Sequence, residues 1–206
     1  MFTGITVAIG TIGQVEQRGD LRLRIDCPFD PAAIAIGASI ACSGVCLTVI
    51  DRGGTKGEAH FSVDVSGETV SRTARGMWTE GRELNLEPSL RIGDELGGHI
   101  VTGHVDAVGR VVDWQPVGDS EEVTIEAPAA LAPFIAEKGS ICVDGVSLTV
   151  NSVHDQPNGA VRFMLNIIPH TAEATTLGGL GQGAEINLEV DAIARYLHRM
   201  QMLRAG

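Results

Sequence analysis

Ser39-Ile40-Ala41-Cys42-Ser43-Gly44-Val45-Cys46-Leu47-Thr48-Val49 returns later in the chain as Ser140-Ile141-Cys142-Val143-Asp144-Gly145-Val146-Ser147-Leu148-Thr149-Val150, with seven of eleven positions identical at an offset of 101. The repeat extends in both directions. Thr3-Gly4 recurs as Thr102-Gly103, Ala8 and Gly10 as Ala107 and Gly109, and Gly81-x-Glu83-x-Asn85-Leu86-Glu87 as Gly183-x-Glu185-x-Asn187-Leu188-Glu189. The offset drifts only from 99 to 102 along the way, as loop insertions produce, because loops accept length changes while strand register does not. A period this long means duplicated domains rather than a solenoid. The expected division is 1–97, 98–190 and a tail at 191–206.

Each half reads as β throughout. Strand-like segments run from Thr6 to Val15, Leu21 to Ile25, Ile40 to Ile50, Ala59 to Val65 and Leu84 to Glu87, then from Val105 to Trp114, Glu122 to Ala127, Ile141 to Val150, Val161 to Ile168 and Ile186 to Val190. Gly, Asp and Pro separate them at the spacing of a small sandwich or barrel. Short helical turns are expected at Pro31 to Ile36 and Pro128 to Glu137. With the repeated stretch read as one strand, Val45, Leu47 and Val49 share one face and Cys46 and Thr48 the other; Val146, Leu148 and Val150 oppose Ser147 and Thr149 in the same way. A small closed barrel fills its interior with such apolar side chains. A ligand is therefore expected outside, against the polar face and the loops, although threonine also favours strands for packing alone.

A net charge of −11, with 15 basic residues in no cluster, argues against nucleic acid and anionic membrane surfaces. No apolar run approaches a membrane span, and Met1 to Ile5 lacks the basic start of a signal peptide. The expectation is a soluble cytoplasmic protein that meets a small molecule or another protein. Cys27, Cys42, Cys46 and Cys142 do not repeat between the halves as duplicated disulfides would, and read as reduced thiols. Nothing shows the paired Cys or His spacing of a zinc site, and no Gly-rich dinucleotide fingerprint follows a strand. From Asp191 the period changes. Ile193, Tyr196, Leu197, Met200 and Leu203 form one helical stripe with Asp191 as N-cap, and that stripe is expected either in a self-association interface or docked on its own barrel.

Five stretches in order, Met1-Phe2-Thr3-Gly4-Ile5, Gly44-Val45-Cys46-Leu47-Thr48-Val49, Gly97-Gly98-His99-Ile100-Val101-Thr102-Gly103-His104-Val105, Asp144-Gly145-Val146-Ser147-Leu148-Thr149-Val150, and Ile168-Pro169-His170-Thr171 with Thr175-Thr176-Leu177, make the chain resemble the riboflavin synthase family over essentially its full length. The resemblance implies an all-β fold of two similar six-stranded Greek-key barrels plus a C-terminal α-helix, with three chains associating through that helix. It implies the dismutation of two 6,7-dimethyl-8-ribityllumazine molecules to riboflavin and 5-amino-6-ribitylamino-uracil by four-carbon transfer. It implies no separate cofactor and no metal, and association with lumazine synthase. Twin barrels would hold two copies of one heterocycle face to face, the N-terminal barrel of one subunit facing the C-terminal barrel of its neighbour.

Carried over position by position, the first pocket takes in Phe2, Thr3, Gly4, Ile5, Thr6, Cys46, Leu47, Thr48, Asp64, Val65, Ser66, Gly67, Glu68 and Thr69. The second takes in Gly103, His104, Val105, Lys138, Ser147, Leu148, Thr149, Asn166, Ile167, Ile168, Pro169, His170 and Thr171. Much of this is backbone, which suits the alternating donors and acceptors of a pteridine edge. The catalytic candidates are Ser39, Cys46, His104, Thr149 and Asp191. A proton must leave the 7-methyl group of one lumazine, and His104 titrates in the useful range. Ser39 and Asp191 form a candidate hydroxyl–carboxylate pair, with the helix cap as the ordinary reading of Asp191. Cys46 polarises the ring or attacks it, or simply fills space. Lys138 lies near the ribityl chain or on a solvated face. His99, five positions from His104, reads as a structural hydrogen bond. Ser66-Gly67 and Cys42-Ser43 depart from the family pattern around the first pocket. The competing reading is a non-catalytic lumazine- or flavin-binding protein on the same frame.

Overall fold

The computed structural model describes residues 1–205. In the first half, β1 (Ala8–Arg18), β2 (Asp20–Cys27), β3 (Ser39–Cys42), β4 (Val45–Thr55), β5 (Glu58–Val65) and β6 (Glu83–Pro88) close into an antiparallel barrel in the order β1-β2-β5-β4-β3-β6, with α1 (Gly67–Arg72) after β5. The second half repeats this with β7 (Ala107–Val117), β8 (Ser120–Ala127), β9 (Ser140–Val143), β10 (Val146–Thr149), β11 (Ser152–Asp155), β12 (Val161–Ile167), α2 (Pro169–Ala174) and β13 (Glu185–Val190), and ends in α3 (Ala192–Ala205). Its sheet runs β10-β9-β13-β7-β8-β12-β11. The seventh strand is a divided one. Where β4 carries a register shift between Val49 and Asp51, the equivalent strand parts into β10 and β11 around Asn151, whose N–H still donates to the Met164 carbonyl at 2.8 Å. A bulge lets a barrel wall bend, and the second half takes the bend as a break.

The repeated stretch is not one strand, as the alternation suggested, but a hairpin in each half. Cys42 pairs with Val45 and Val143 with Val146 across two-residue turns. Ser43 and Gly44 sit at φ 43° and 82°, Asp144 and Gly145 at 44° and 82°, the two left-handed residues that a tight hairpin requires and that Asp-Gly favours. Cys42 is consequently buried in the barrel core while Cys46 lies partly exposed on the other face. The hairpin supplies the sixth strand of each barrel.

The cores are made of equivalent residues, Leu23, Phe61, Leu84 and Leu86 in one barrel and Val123, Phe163, Ile186 and Leu188 in the other. The void inside the second barrel is about 10 Å³, room for one water at most. No heterocycle fits inside that barrel.

The halves meet about a pseudo-two-fold axis at the hairpin tips, where the Gly44 and Gly145 backbones touch. Asn85 Nδ2 donates to the Asp144 carbonyl and Asn187 Nδ2 to the Ser43 carbonyl, both at 2.9 Å, while the Asn85 and Asn187 Oδ1 atoms accept the Thr176 and Ala74 N–H groups, both at 2.8 Å. A buried polar set satisfied on every side fixes one relative placement of the barrels.

On α3, Asp191 Oδ1 accepts the Ile193 N–H at 2.8 Å, the expected cap. Arg195 grips Asp106 at 2.6 and 2.8 Å, and the His198 ring lies 4.7 Å from that of Phe134. These contacts seat the helix on its own barrel, yet Ile193, Tyr196, Leu197, Met200 and Leu203 remain exposed. No helix among the described residues is long and apolar enough to cross a membrane.

Candidate functional site

Two short straps, residues 2–5 and 100–104, cross between the barrels. They pair with each other through Phe2 and Val101, whose N–H groups donate to each other's carbonyls at 2.8 and 3.1 Å. Each strap is anchored by a buried glutamate of its own half. Glu87 accepts the Thr3 N–H, the Thr3 hydroxyl and the Gly4 N–H at 2.6, 2.8 and 2.9 Å. Glu189 accepts the Thr102 N–H, the Thr102 hydroxyl, the Gly103 N–H and the His104 N–H at 2.7, 2.6, 2.9 and 3.0 Å. Burial pushes the Glu87 carboxyl above the ordinary glutamate range, against the pull of the amides it accepts.

Each strap then leans on the other half. The Ser147 N–H donates to the Gly4 carbonyl at 2.8 Å, and the Cys46 N–H to the Gly103 carbonyl at 2.9 Å. This corrects the grouping expected from sequence. Gly103, His104 and Val105 face Cys46 of the first barrel, and Gly4 faces Ser147 of the second, because the straps are exchanged across the pseudo-two-fold axis. Cys46, Glu68, Thr69, Gly103, His104 and Val105 line one cavity of about 200 Å³, together with Val45, Arg72 and Thr73.

The other candidates fall in several places. Ser147 and Thr149 lie on β10, Thr149 exposed and paired with Ser140 as Thr48 is with Ser39. Ile5 is exposed and Thr6 half-buried. Leu47 faces the first core and Leu148 packs against the second. Phe2 is buried with Ala41, Val101 and Cys142 in a small core between the barrels, where an aromatic ring holds the strap in place. Thr3 is buried on Glu87. Asp64 is held by Arg22 through two bonds of 2.9 Å, which keep its carboxyl below the usual range. Val65 is core, and Ser66 caps α1 by accepting the Thr69 N–H, with Gly67 as the first helical residue. Asn166, Ile168, Pro169 and His170 are exposed around the start of α2, with Ile167 buried and Thr171 half-buried. Lys138 is exposed at φ 61°, its N–H on the Val150 carbonyl. Ser39 lines a separate cavity of about 290 Å³ with Phe29, Ile34 and Pro88. Among the described residues no hydrogen bond joins Ser39 to Asp191 within the chain.

Sequence reasoning left Glu87 and Glu189 without a role, although both close the repeated Gly-x-Glu-x-Asn-Leu-Glu. A charged residue kept at the end of a core strand in both halves was the available signal. Arg72 was also missed; it reaches the cavity from α1, four residues after Glu68, with which it pairs at 2.8 Å.

The strap contact leaves no room for a side chain. At Gly103, with φ +79°, an added Cβ would lie 2.6 Å from Cys46 Cβ and 2.8 Å from its N, and the left-handed backbone penalises any L-residue. Gly103→Ala is expected to push the strap off Cys46 and lower activity at least tenfold, towards the roughly 100-fold loss that a misplacement near 1 Å can bring. Steady-state kinetics indistinguishable from the parent chain's would contradict this.

The Lumazine binding domain model matches residues 3–89 and 102–191. The chain is 45% identical over 202 residues to the riboflavin synthase of Brucella abortus (strain 2308), covering 97% of this chain and 98% of the relative. It is 44% identical over 207 residues to that of Mycobacterium tuberculosis (strain ATCC 25618 / H37Rv), covering 100% of each. Among solved structures, LumP complexed with riboflavin superposes with a TM-score of 0.77 at 24% identity, over 92% of this chain and 99% of the other. LumP complexed with 6,7-dimethyl-8-(1'-D-ribityl) lumazine gives a TM-score of 0.75 at 23% identity over the same shares. These two show the fold. With both repeats matched and full-length relatives well above 30% identity, the chain belongs to the riboflavin synthase family of duplicated lumazine-binding proteins.

Proposed function

We propose that this chain catalyses the dismutation of two 6,7-dimethyl-8-ribityllumazine molecules into riboflavin and 5-amino-6-ribitylamino-uracil. The observation that carries the reading is the exchanged pair of strap contacts. Cys46 beneath Gly103 and Ser147 beneath Gly4 are equivalent surfaces on two barrels, as a reaction between two copies of one heterocycle needs. They are not identical. The first surface presents a thiol and the His104 imidazole, and the second a serine hydroxyl with Ile5 at the position of His104.

In this reading His104 takes the proton from the 7-methyl group of the lumazine beside Cys46. A four-carbon unit then passes between the two lumazines, and holding both rings in register supplies much of the acceleration. Thr149 contributes its hydroxyl at the second surface. Ser39 and Asp191 belong to opposite barrels and meet only if a neighbouring chain brings them together. The exposed stripe of α3 supports such an assembly, a cytoplasmic homotrimer built on that helix; association with lumazine synthase follows from the family alone.

The test is turnover. Purified protein given 6,7-dimethyl-8-ribityllumazine alone should form one riboflavin for each two molecules consumed, with no added cofactor. Saturable binding with no product would instead identify a lumazine- or flavin-binding protein.

A further inference from the structure

His99 is the one buried side chain among the described residues with a polar atom left unpartnered. The residue is 8% exposed, its Nδ1 lies 2.7 Å from Ser147 Oγ, and its Nε2 has no hydrogen-bond partner. Its own N–H donates to the Thr3 carbonyl at 3.1 Å. The ring is thus clamped between the first strap and the β10 strand that the strap crosses.

Burial pushes the imidazole below the usual histidine range, against the Asp191 and Glu189 carboxylates, which pull the other way. A neutral ring carries one N–H and one bare nitrogen. A buried N–H without an acceptor is the orphan that folded proteins tolerate least. The proton therefore belongs on Nδ1, where Ser147 Oγ accepts it, and the unpartnered Nε2 is the bare nitrogen. A serine oxygen that accepts this bond still has its own proton to give. With the imidazole on one side and no second partner for the oxygen among the described residues, that proton is free for an acceptor from outside the chain. No side-chain hydrogen bond of this kind reaches Cys46 Sγ among the described residues. The twin surfaces thus differ in chemistry as well as in residue name.

We infer that His99 is a positioning residue for the second half-site, where its Nδ1–H fixes the Ser147 hydroxyl as a hydrogen-bond donor to a carbonyl or ring nitrogen of the bound heterocycle. This rests on the functional reading above and adds to it a direction. The surface at Ser147 donates to an acceptor on the ring, while the surface at Cys46 handles the proton.

Three single variants and one double test it. His99→Asn places an amide N–H₂ near the Nδ1 position, and His99→Gln, of the same chemistry, places it near Nε2. His99→Asn should keep kcat and KM within about threefold of the parent. His99→Gln and Ser147→Ala should each lower kcat/KM about tenfold, at melting temperatures close to that of His99→Asn. The His99→Gln/Ser147→Ala double should be no worse than Ser147→Ala, the non-additivity of residues acting as one unit. Additive losses, or equal damage from the Asn and Gln variants at equal melting temperature, would overturn the inference. Riboflavin fluorescence titrations run on the same proteins separate it from the functional reading. A parent chain that binds riboflavin without turning over ribityllumazine would refute the enzyme, and the Asn-against-Gln contrast in affinity would still decide the role of His99.

Discussion

Glu189→Ala is expected to lower the melting temperature by on the order of 10 °C and to reduce turnover about 100-fold. The carboxylate accepts four donors at 2.6–3.0 Å, three of them consecutive backbone N–H groups of the second strap. Alanine leaves those groups facing an apolar gap. Each buried donor without an acceptor costs about 1–3 kcal/mol, and the part-buried Thr102 and His104 amides recover some of this from water, so a net loss of about 3–5 kcal/mol follows. The functional loss has a separate cause. Released from Glu189, Gly103 and His104 no longer sit over Cys46, and the first surface loses the imidazole that the proposed reaction uses as its base. Glu87→Ala should do the same at the second surface by freeing Thr3 and Gly4 from above Ser147. Calorimetry and lumazine turnover on the two variants check both statements. A Glu189→Ala protein with unaltered melting temperature and rate would show that the straps are held by something else.

Asp144→Asn is expected to stabilise the protein at pH 8 and to leave it unchanged near pH 4. Asp144 is buried at the hairpin tip, where its Oδ1 accepts the Asn187 N–H at 2.8 Å. Burial pushes its carboxyl from 3.8 up to about 7, with the Asn187 amide and the more distant Arg82 pulling down. The folded state therefore holds this proton more tightly than the unfolded chain does. Its contribution to stability is fully present below about pH 4 and is lost as pH rises through about 7, beyond which it stays flat. At about 1.4 kcal/mol per pKa unit, the loss amounts to a few kcal/mol. Asparagine accepts the same bond, carries no charge to bury, and tolerates the left-handed backbone at φ 44°. Chemical denaturation of both proteins at several pH values measures the effect. If the difference between them stays constant from pH 4 to pH 8, the carboxylate is ionised throughout and the explanation is wrong. The equivalent residue in the first half is Ser43, whose hydroxyl accepts the Asn85 N–H at 3.0 Å, so only one side of the axis carries the titrating group.

Some of the site was legible from residue identity alone. Cys46 and Thr69, read together as part of the first pocket, do line one cavity, and Cys46, Gly103 and His104 stand in the stretches that carry the family resemblance. The errors have local causes. The core-facing residues change phase across the turn, from Ile40 and Cys42 to Val45, Leu47 and Val49, and from Ile141 and Val143 to Val146, Leu148 and Val150. Following only the alternation after the turn made the hairpin one strand, although Asp-Gly between apolar alternations is the strongest short-range hairpin signal. The pocket residues implied by the resemblance were divided half by half, which placed Gly103 and His104 with the half they introduce. The strap geometry does the reverse.

The sequence by itself determined the duplication, the β character of both halves, the helix begun at Asp191 and the family, because each is written as a local period or a motif that needs no partner to be read. Only the tertiary structure decided which half each strap serves, what Glu87, Glu189 and the Asn85–Asn187 pair hold together, and that His99 stands behind Ser147 while His104 stands over Cys46. Those facts depend on hydrogen bonds between residues far apart in the chain, formed once the two barrels fix their ends against each other, and no periodicity along the chain encodes them.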